Sequence, residues 1–170
     1  MRVVTWNINS VRLRINSVKK VVKKLNPDIL CLQETKCLKE DFPFEDFKKM
    51  GFVDTEAIGI KGYNGVCIAS RHPISSIDKH IFFNKDDARH MNIEFLYKNK
   101  KIIIHNFYVP AGGDEPDPKI NNKFKHKLKF LEEATKLFSN KKSAKNDLVV
   151  LVGDLNIAPH EMDVWSHQQL

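Results

Sequence analysis

The chain is poor in cysteine, has no long apolar run, and contains no internal repeat or low-complexity tract. Its three cysteines, Cys31, Cys37 and Cys67, are an odd number without a paired zinc spacing. They form no disulfide framework and suit a reducing cytoplasm. The first ten residues, MRVVTWNINS, lack the basic-then-apolar profile of a secretory signal. No apolar stretch approaches the roughly 18 residues that a membrane span needs. These absences favour a cytoplasmic location and no membrane partner.

What is present is ordinary globular material with a basic bias. A length of 170 residues, 42% of them hydrophobic, is enough for one domain with a real core. Lysine and arginine outnumber the acids by 28 to 21, a formal charge of +7. That balance favours a polyanionic partner, nucleic acid first among them.

Apolar runs bounded by turn residues predict strands at Val3–Trp6, Ile29–Leu32, Gly65–Ala69, Asn92–Tyr97, Ile102–Val109 and Leu148–Val152. The last run is continuously apolar, as expected of a strand buried on both faces. Ile15, Val18, Val22 and Leu25 recur at helical spacing, and Pro27 cannot continue that helix. Phe44, Phe47 and Met50 predict a short helix stopped by Gly51. Phe124, Leu128, Leu131, Ala134 and Phe138 predict a longer one with a lysine-rich outer face. Residues Pro110–Pro118 read as an ordered loop beside a site, and the basic run Lys141–Lys145 as a solvated loop. Strands mixed with helices indicate a layered α/β or α+β domain.

Polar residues gather where the predicted strands end. Asn7 follows the first strand and Gln33-Glu34-Thr35-Lys36 the second. Asn106 and Tyr108 lie two apart near the end of another, and Asp154 and Asn156 follow the last. Strand ends on a layered scaffold are where ligands bind. If they converge, their oxygen donors suit a hard cation, Mg²⁺ or Mn²⁺, rather than zinc. A divalent cation beside a basic surface suggests phosphate-ester chemistry. Glu34 would hold the metal with help from Asn7, Asp154 would orient or deprotonate water, Asn156 would position it or the phosphate, and Tyr108 would donate to the phosphate or the leaving group. Taken singly, each has a plainer reading: Glu34 as a loop residue, Asn7 and Asn156 as turn formers, Tyr108 as packing. His105 and the cysteines read as structural. The case rests on the set.

Five stretches together resemble the endonuclease/exonuclease/phosphatase superfamily, and within it the exonuclease III branch of abasic-site endonucleases. They are Thr5-Trp-Asn-Ile-Asn-Ser-Val-Arg12, Leu32-Gln-Glu-Thr-Lys36, Tyr63-Asn-Gly-Val66, Asn106-Phe-Tyr-Val-Pro110 and Gly153-Asp-Leu-Asn-Ile-Ala-Pro159, in the family's order. The resemblance implies an α+β, DNase I-like fold of two β-sheets packed face to face with helices outside. It implies Mg²⁺-dependent cleavage of duplex DNA 5′ to abasic sites, with 3′-exonuclease and 3′-phosphatase activities, and no obligate protein partner. Carried over by motif, the metal site takes Asn7, Glu34, Asp154 and Asn156. Catalysis falls to Tyr108, Asp154 and Asn156, and contacts to DNA or support of the cleft to Asn9, Lys36, Arg89 and Asn106.

The sequence also departs from the pattern. Family members carry an Arg-(Ile/Leu)-Asp segment and finish near Ser-Asp-His, and neither occurs here; Ser166-His167 lacks the aspartate between. The 170 residues therefore read as the N-terminal portion of one such domain. On that expectation most of the second sheet is missing and the inner face of the first is bare. The alternative function is an inactive fragment that only binds metal or DNA.

Overall fold

A computed structural model describes residues 1–140, 147–164 and 166. Eight strands and three helices follow in the order β1 (Val3–Asn7), α1 (Val11–Leu25), β2 (Ile29–Gln33), α2 (Phe44–Lys49), β3 (Asp54–Ile60), β4 (Tyr63–Ser70), β5 (Ser76–Asp78), β6 (His90–Tyr97), β7 (Lys100–Tyr108), α3 (Asn122–Asn140) and β8 (Leu148–Asp154). They form two four-stranded sheets, ordered β1-β2-β4-β3 and β5-β6-β7-β8. The pairs β1/β2 and β7/β8 are parallel and the others antiparallel.

Side-chain alternation builds the layers. In β2 every residue is buried. Leu30 and Leu32 face Val11, Val18 and Val22 of α1, while Ile29 and Cys31 face the other sheet. There they meet Met91, Ile93 and Phe95 of β6 and Ile102 and Ile104 of β7. Each large aliphatic side chain buried there contributes about 2 kcal/mol. On the far side, Phe107 and Val109 pack against Phe82 and Phe130, with Phe138 of α3 over them. The order of layers is helix, sheet, sheet, helix.

Two sequence expectations are corrected. The second sheet is present, and the inner face of the first is covered by it. β8 is not buried on both faces: Leu148, Val149 and Leu151 are 48%, 36% and 45% exposed. Among the described residues it pairs only with β7, and of its apolar side chains Val150 and Val152 pack against the core between the sheets. β2 is buried on both faces, and so is β4 beyond its first residue. Two strands escaped prediction, β3 and β5. Both are sheet edges; β3 carries Asp54 and Glu56, and all three residues of β5 are exposed. The basic run Lys141–Lys145 lies outside the described residues, as does His167.

Other expectations match. The predicted helix from Ile15 begins earlier, at Val11, with a kink at Arg14. The loop after β7 is ordered by the Asn121 amide, which donates to the carbonyls of Gly112 and Glu115 at 2.9 and 2.6 Å. His105 is buried, its Nδ1 2.9 Å from His90 Nε2. All three cysteines are buried and free, and burial pushes the Cys31 and Cys67 thiols far up.

Asn106 crosses between the sheets. It is fully buried on β7, and its amide donates to the Leu32 carbonyl at 3.0 Å and the Cys67 carbonyl at 2.9 Å. Its Oδ1 accepts from Gln33 Nε2 at 2.6 Å. Asn106→Ala should lower the unfolding free energy by about 3 kcal/mol, because it strands buried polar partners. Urea denaturation measures this, and an unchanged midpoint would show that the amide ties nothing together.

Candidate active site

Parallel pairing decides where the polar residues meet. β1 and β2 run in the same direction with Asn7 opposite Gln33, so both deliver their next residues to one edge. β7 and β8 do the same, with Tyr108 opposite Asp154. Face-to-face packing of the sheets brings the two edges together.

Asn7 Nδ2 stands between the two carboxylates and donates to Glu34 Oε1 and to Asp154 Oδ2, each at 2.8 Å. The Tyr108 hydroxyl donates to the same Glu34 oxygen at 2.9 Å. Lys36 Nζ lies 2.8 Å from Glu34 Oε2 and 2.6 Å from Asn9 Oδ1. The Asn156 backbone N–H donates to Asp154 Oδ1 at 3.0 Å, and its side-chain amide donates to the Val109 carbonyl at 2.7 Å.

Local backbone geometry aims these groups. Glu34, Lys36 and Asn156 have φ of 53°, 53° and 50°, a left-handed conformation costing non-glycine residues about 1–3 kcal/mol each. Bonds on both sides hold the Glu34–Lys36 segment: Ser10 N–H to the Glu34 carbonyl at 2.7 Å, and Lys36 N–H to the Asn64 carbonyl at 2.8 Å. Gly153 precedes Asp154 because no side chain fits there. Its φ is +142°, and a Cβ would lie 2.0 Å from the Phe107 carbonyl oxygen.

The electrostatics favour an ionised Glu34. Burial, the largest single influence, works against its charge. The hydrogen bonds from Asn7, Lys36 and Tyr108, with the Lys36 charge, outweigh it and hold the carboxyl below its ordinary range. Burial, followed by the bond to Glu34 and its charge, pushes the Tyr108 hydroxyl up to about 12. Tyr108 therefore stays a proton donor through any physiological pH.

The structure brings together Asn7, Glu34, Tyr108 and Asp154, with Lys36, Asn9 and Asn156 beside them. Two of the residues expected to touch DNA or support the cleft are placed behind it. Asn106 has no exposed surface and its amide is used between the sheets. Arg89 is turned inward: its Nε lies 2.6 Å from Asp87 Oδ2, with only 10% of its side chain exposed. Its guanidinium sits 4.7 Å from the centre of the Tyr108 ring and donates to the Tyr108 carbonyl at 3.3 Å. It supports the tyrosine. Sequence reading missed Asp87, a buried acid in a loop, and Lys127, one of many lysines on α3 with no spacing to single it out.

The site is an all-oxygen donor set of two carboxylates bridged by one amide, with a lysine alongside. Among the described residues no group of three or more His, Cys, Asp and Glu stands ready for a metal. A hard cation that keeps several waters needs only one or two protein carboxylates, so Glu34 and Asp154, joined through the Asn7 side chain, fit such an ion. Two stacked sheets with these residues at converging strand ends define a class of β-sandwich proteins with a polar cluster at one end.

Within that class, the chain belongs to the Endonuclease/Exonuclease/phosphatase family, whose model matches residues 4–169. The family works with a divalent metal. The chain is similar to exodeoxyribonuclease III of Haemophilus influenzae, 26% identical over 166 residues, which cover 96% of this chain and 60% of that protein. Among solved structures it is similar to an AP endonuclease from Archaeoglobus fulgidus, with 33% identity and a TM-score of 0.84, covering 98% of this chain and 62% of that one. It is also similar to a 3′ phosphatase from Neisseria bound to product DNA hairpin, with 28% identity and a TM-score of 0.81, covering 99% and 63%. The chain thus spans about three fifths of the length of these relatives.

Removing one donor to Glu34 should lift its carboxyl toward the ordinary range. Tyr108→Phe is expected to do so, read by NMR titration of the Glu34 carboxyl carbon. A titration that does not move would mean that the tyrosine does not stabilise the charge.

Proposed function

We propose that the protein is a Mg²⁺-dependent DNA repair nuclease that hydrolyses phosphodiesters in duplex DNA, 5′ to abasic sites and at 3′ ends. One observation carries this reading: Asn7, Glu34, Tyr108 and Asp154, from four strand ends and two sheets, meet within hydrogen-bond distance. The names of the relatives support the substrate class. Manganese would substitute for magnesium at such a site. The three free, buried cysteines suit work in the cytoplasm.

Glu34, Asn7, Asp154 and Asn156 would hold the cation. When bound, the ion supplies positive charge that stabilises the scissile phosphate as it is attacked. Asp154, half-buried, would orient the attacking water and accept its proton at a carboxylate oxygen. Asn156 would keep that oxygen in place through the backbone bond to Oδ1. Tyr108, protonated well past neutrality, would give its hydroxyl hydrogen bond to the phosphate once substrate competes with Glu34. Beside Lys36 opens a cleft of about 630 Å³ lined by Asn9, Arg12, Leu13 and Arg14. Its cations would follow the DNA backbone, so binding should weaken with salt by a slope of about −0.9 per phosphate neutralised.

A second reading is metal or DNA binding without turnover, which the balance of 28 basic to 21 acidic residues supports equally well.

The test is cleavage of a labelled duplex with one abasic site, with Mg²⁺, with chelator, and with Glu34→Gln. Cleavage that needs the metal and falls at least ~100-fold in the mutant supports the nuclease. No cleavage above the mutant overturns it in favour of the binding reading. The pH profile adds a check on sign. Glu34 is held below the ordinary carboxylate range, so its contribution should persist as pH falls through that range. It should vanish only as pH drops through the depressed value.

A further inference from the structure

Beyond the last paired residues of β7 and β8, Tyr108 and Asp154, the two chains separate. Pro110 has no N–H to give, so a further ladder rung on that side is impossible. Three kinds of tie remain. Val109 N–H donates to the Asp154 carbonyl at 2.9 Å, and the Asn156 amide reaches back to the Val109 carbonyl. The third comes from outside both strands. Lys127, half-buried on α3, donates from Nζ to the Asn156 carbonyl at 2.5 Å and to the Ala111 carbonyl at 3.1 Å.

One ammonium thus joins the loop that follows Tyr108 to the turn that carries Asp154 and Asn156. The two carbonyls turn their negative ends toward one another's side of the gap, and a cation between them removes that repulsion. The loop lies against the lysine stem: a Cβ on Gly112, whose φ is +96°, would lie 2.9 Å from Lys127 Cδ. Burial depresses the Lys127 amine and the Asp154 charge raises it again, which sets the ammonium within the field of the site.

We infer that Lys127 is a positioning residue of the active site: it holds the Asp154–Asn156 turn, with its left-handed asparagine, in register with Tyr108. Asp154 then presents the same oxygen in every molecule. Without the ammonium, Asn156 has a strained φ of 50° and one fewer bond to keep it there. A lysine that merely packed its stem on Phe124 and Gly112 would stabilise α3 and leave the turn alone. This role rests on the nuclease reading only for its catalytic consequence, not for the geometry.

The experiment compares Lys127→Met, which keeps the stem and loses the donors, with Lys127→Arg, which keeps donors and charge. Residue-resolved amide exchange by NMR reads the Val109 and Asn156 amides, both of which donate to Asp154. Lys127→Met should speed exchange at those two amides at least tenfold while β2 and β6 are unchanged, and Lys127→Arg should restore most of the protection. Unchanged exchange at both amides overturns the inference, and so does an equal acceleration throughout β2 and β6, the mark of a purely structural lysine. On an abasic duplex, Lys127→Met should lower kcat at least tenfold with KM changed less than twofold, and an unaltered kcat in a cleaving enzyme likewise overturns it. If the unsubstituted chain cleaves nothing, the nuclease reading fails by itself and the exchange result still decides the role of Lys127.

Discussion

Between the two sheets lies an apolar layer of isoleucines, a phenylalanine and a methionine, and the fully buried Asn106 side chain crosses it. Asn106 on β7 bonds to main-chain carbonyls of β2 and β4 and to the Gln33 amide, with no surface left for solvent. Apolar packing alone is tolerant of small slides, since it has no direction. Three directed bonds in a dry environment are not, because breaking them there costs more than in water. The relative position of the sheets, and so the distance from Glu34 on one to Tyr108 and Asp154 on the other, depends on that amide.

The site built on this frame is a balance of charge. Two carboxylates and a lysine lie around one asparagine amide, and the amide donates to both acids at once. Glu34 is favoured as an anion and Tyr108 as a neutral phenol, so the cluster keeps its hydrogen-bond directions over a wide range of pH. Arg89 and Asp87 stand behind the tyrosine as a buried pair, and Lys127 behind the Asp154 turn. The residues facing the cleft are few, and those that aim them come from other parts of the chain.

Some of this was legible in the residues. The Thr5–Arg12, Leu32–Lys36 and Gly153–Pro159 stretches carry Asn7, Glu34, Asp154 and Asn156 at strand ends, and the apolar runs place those ends within a residue or two. Edge strands β3 and β5 were not legible, because a strand paired on one side and exposed on a face needs little apolar patterning. The burial of β8 was misjudged for a related reason. A continuous apolar run marks a strand that can be covered on both faces, and the fold decides whether it is. Asn106 within a motif and Arg89 outside one could each touch DNA or support the cleft; their side chains turn inward, which no spacing reveals.

The sequence by itself determined the local states: which segments extend, which coil, where glycine and proline force a turn, and which donors sit just past each strand. These depend on neighbours a few residues away, and so they are written in the order of residues. Tertiary structure alone decided which donors meet. The bond from Asn7 to Asp154 joins residues 147 positions apart, and that from Tyr108 to Glu34 joins residues 74 apart. Such encounters follow from the stacking of two sheets and the direction of two parallel strand pairs, which arise from the packing of the whole chain.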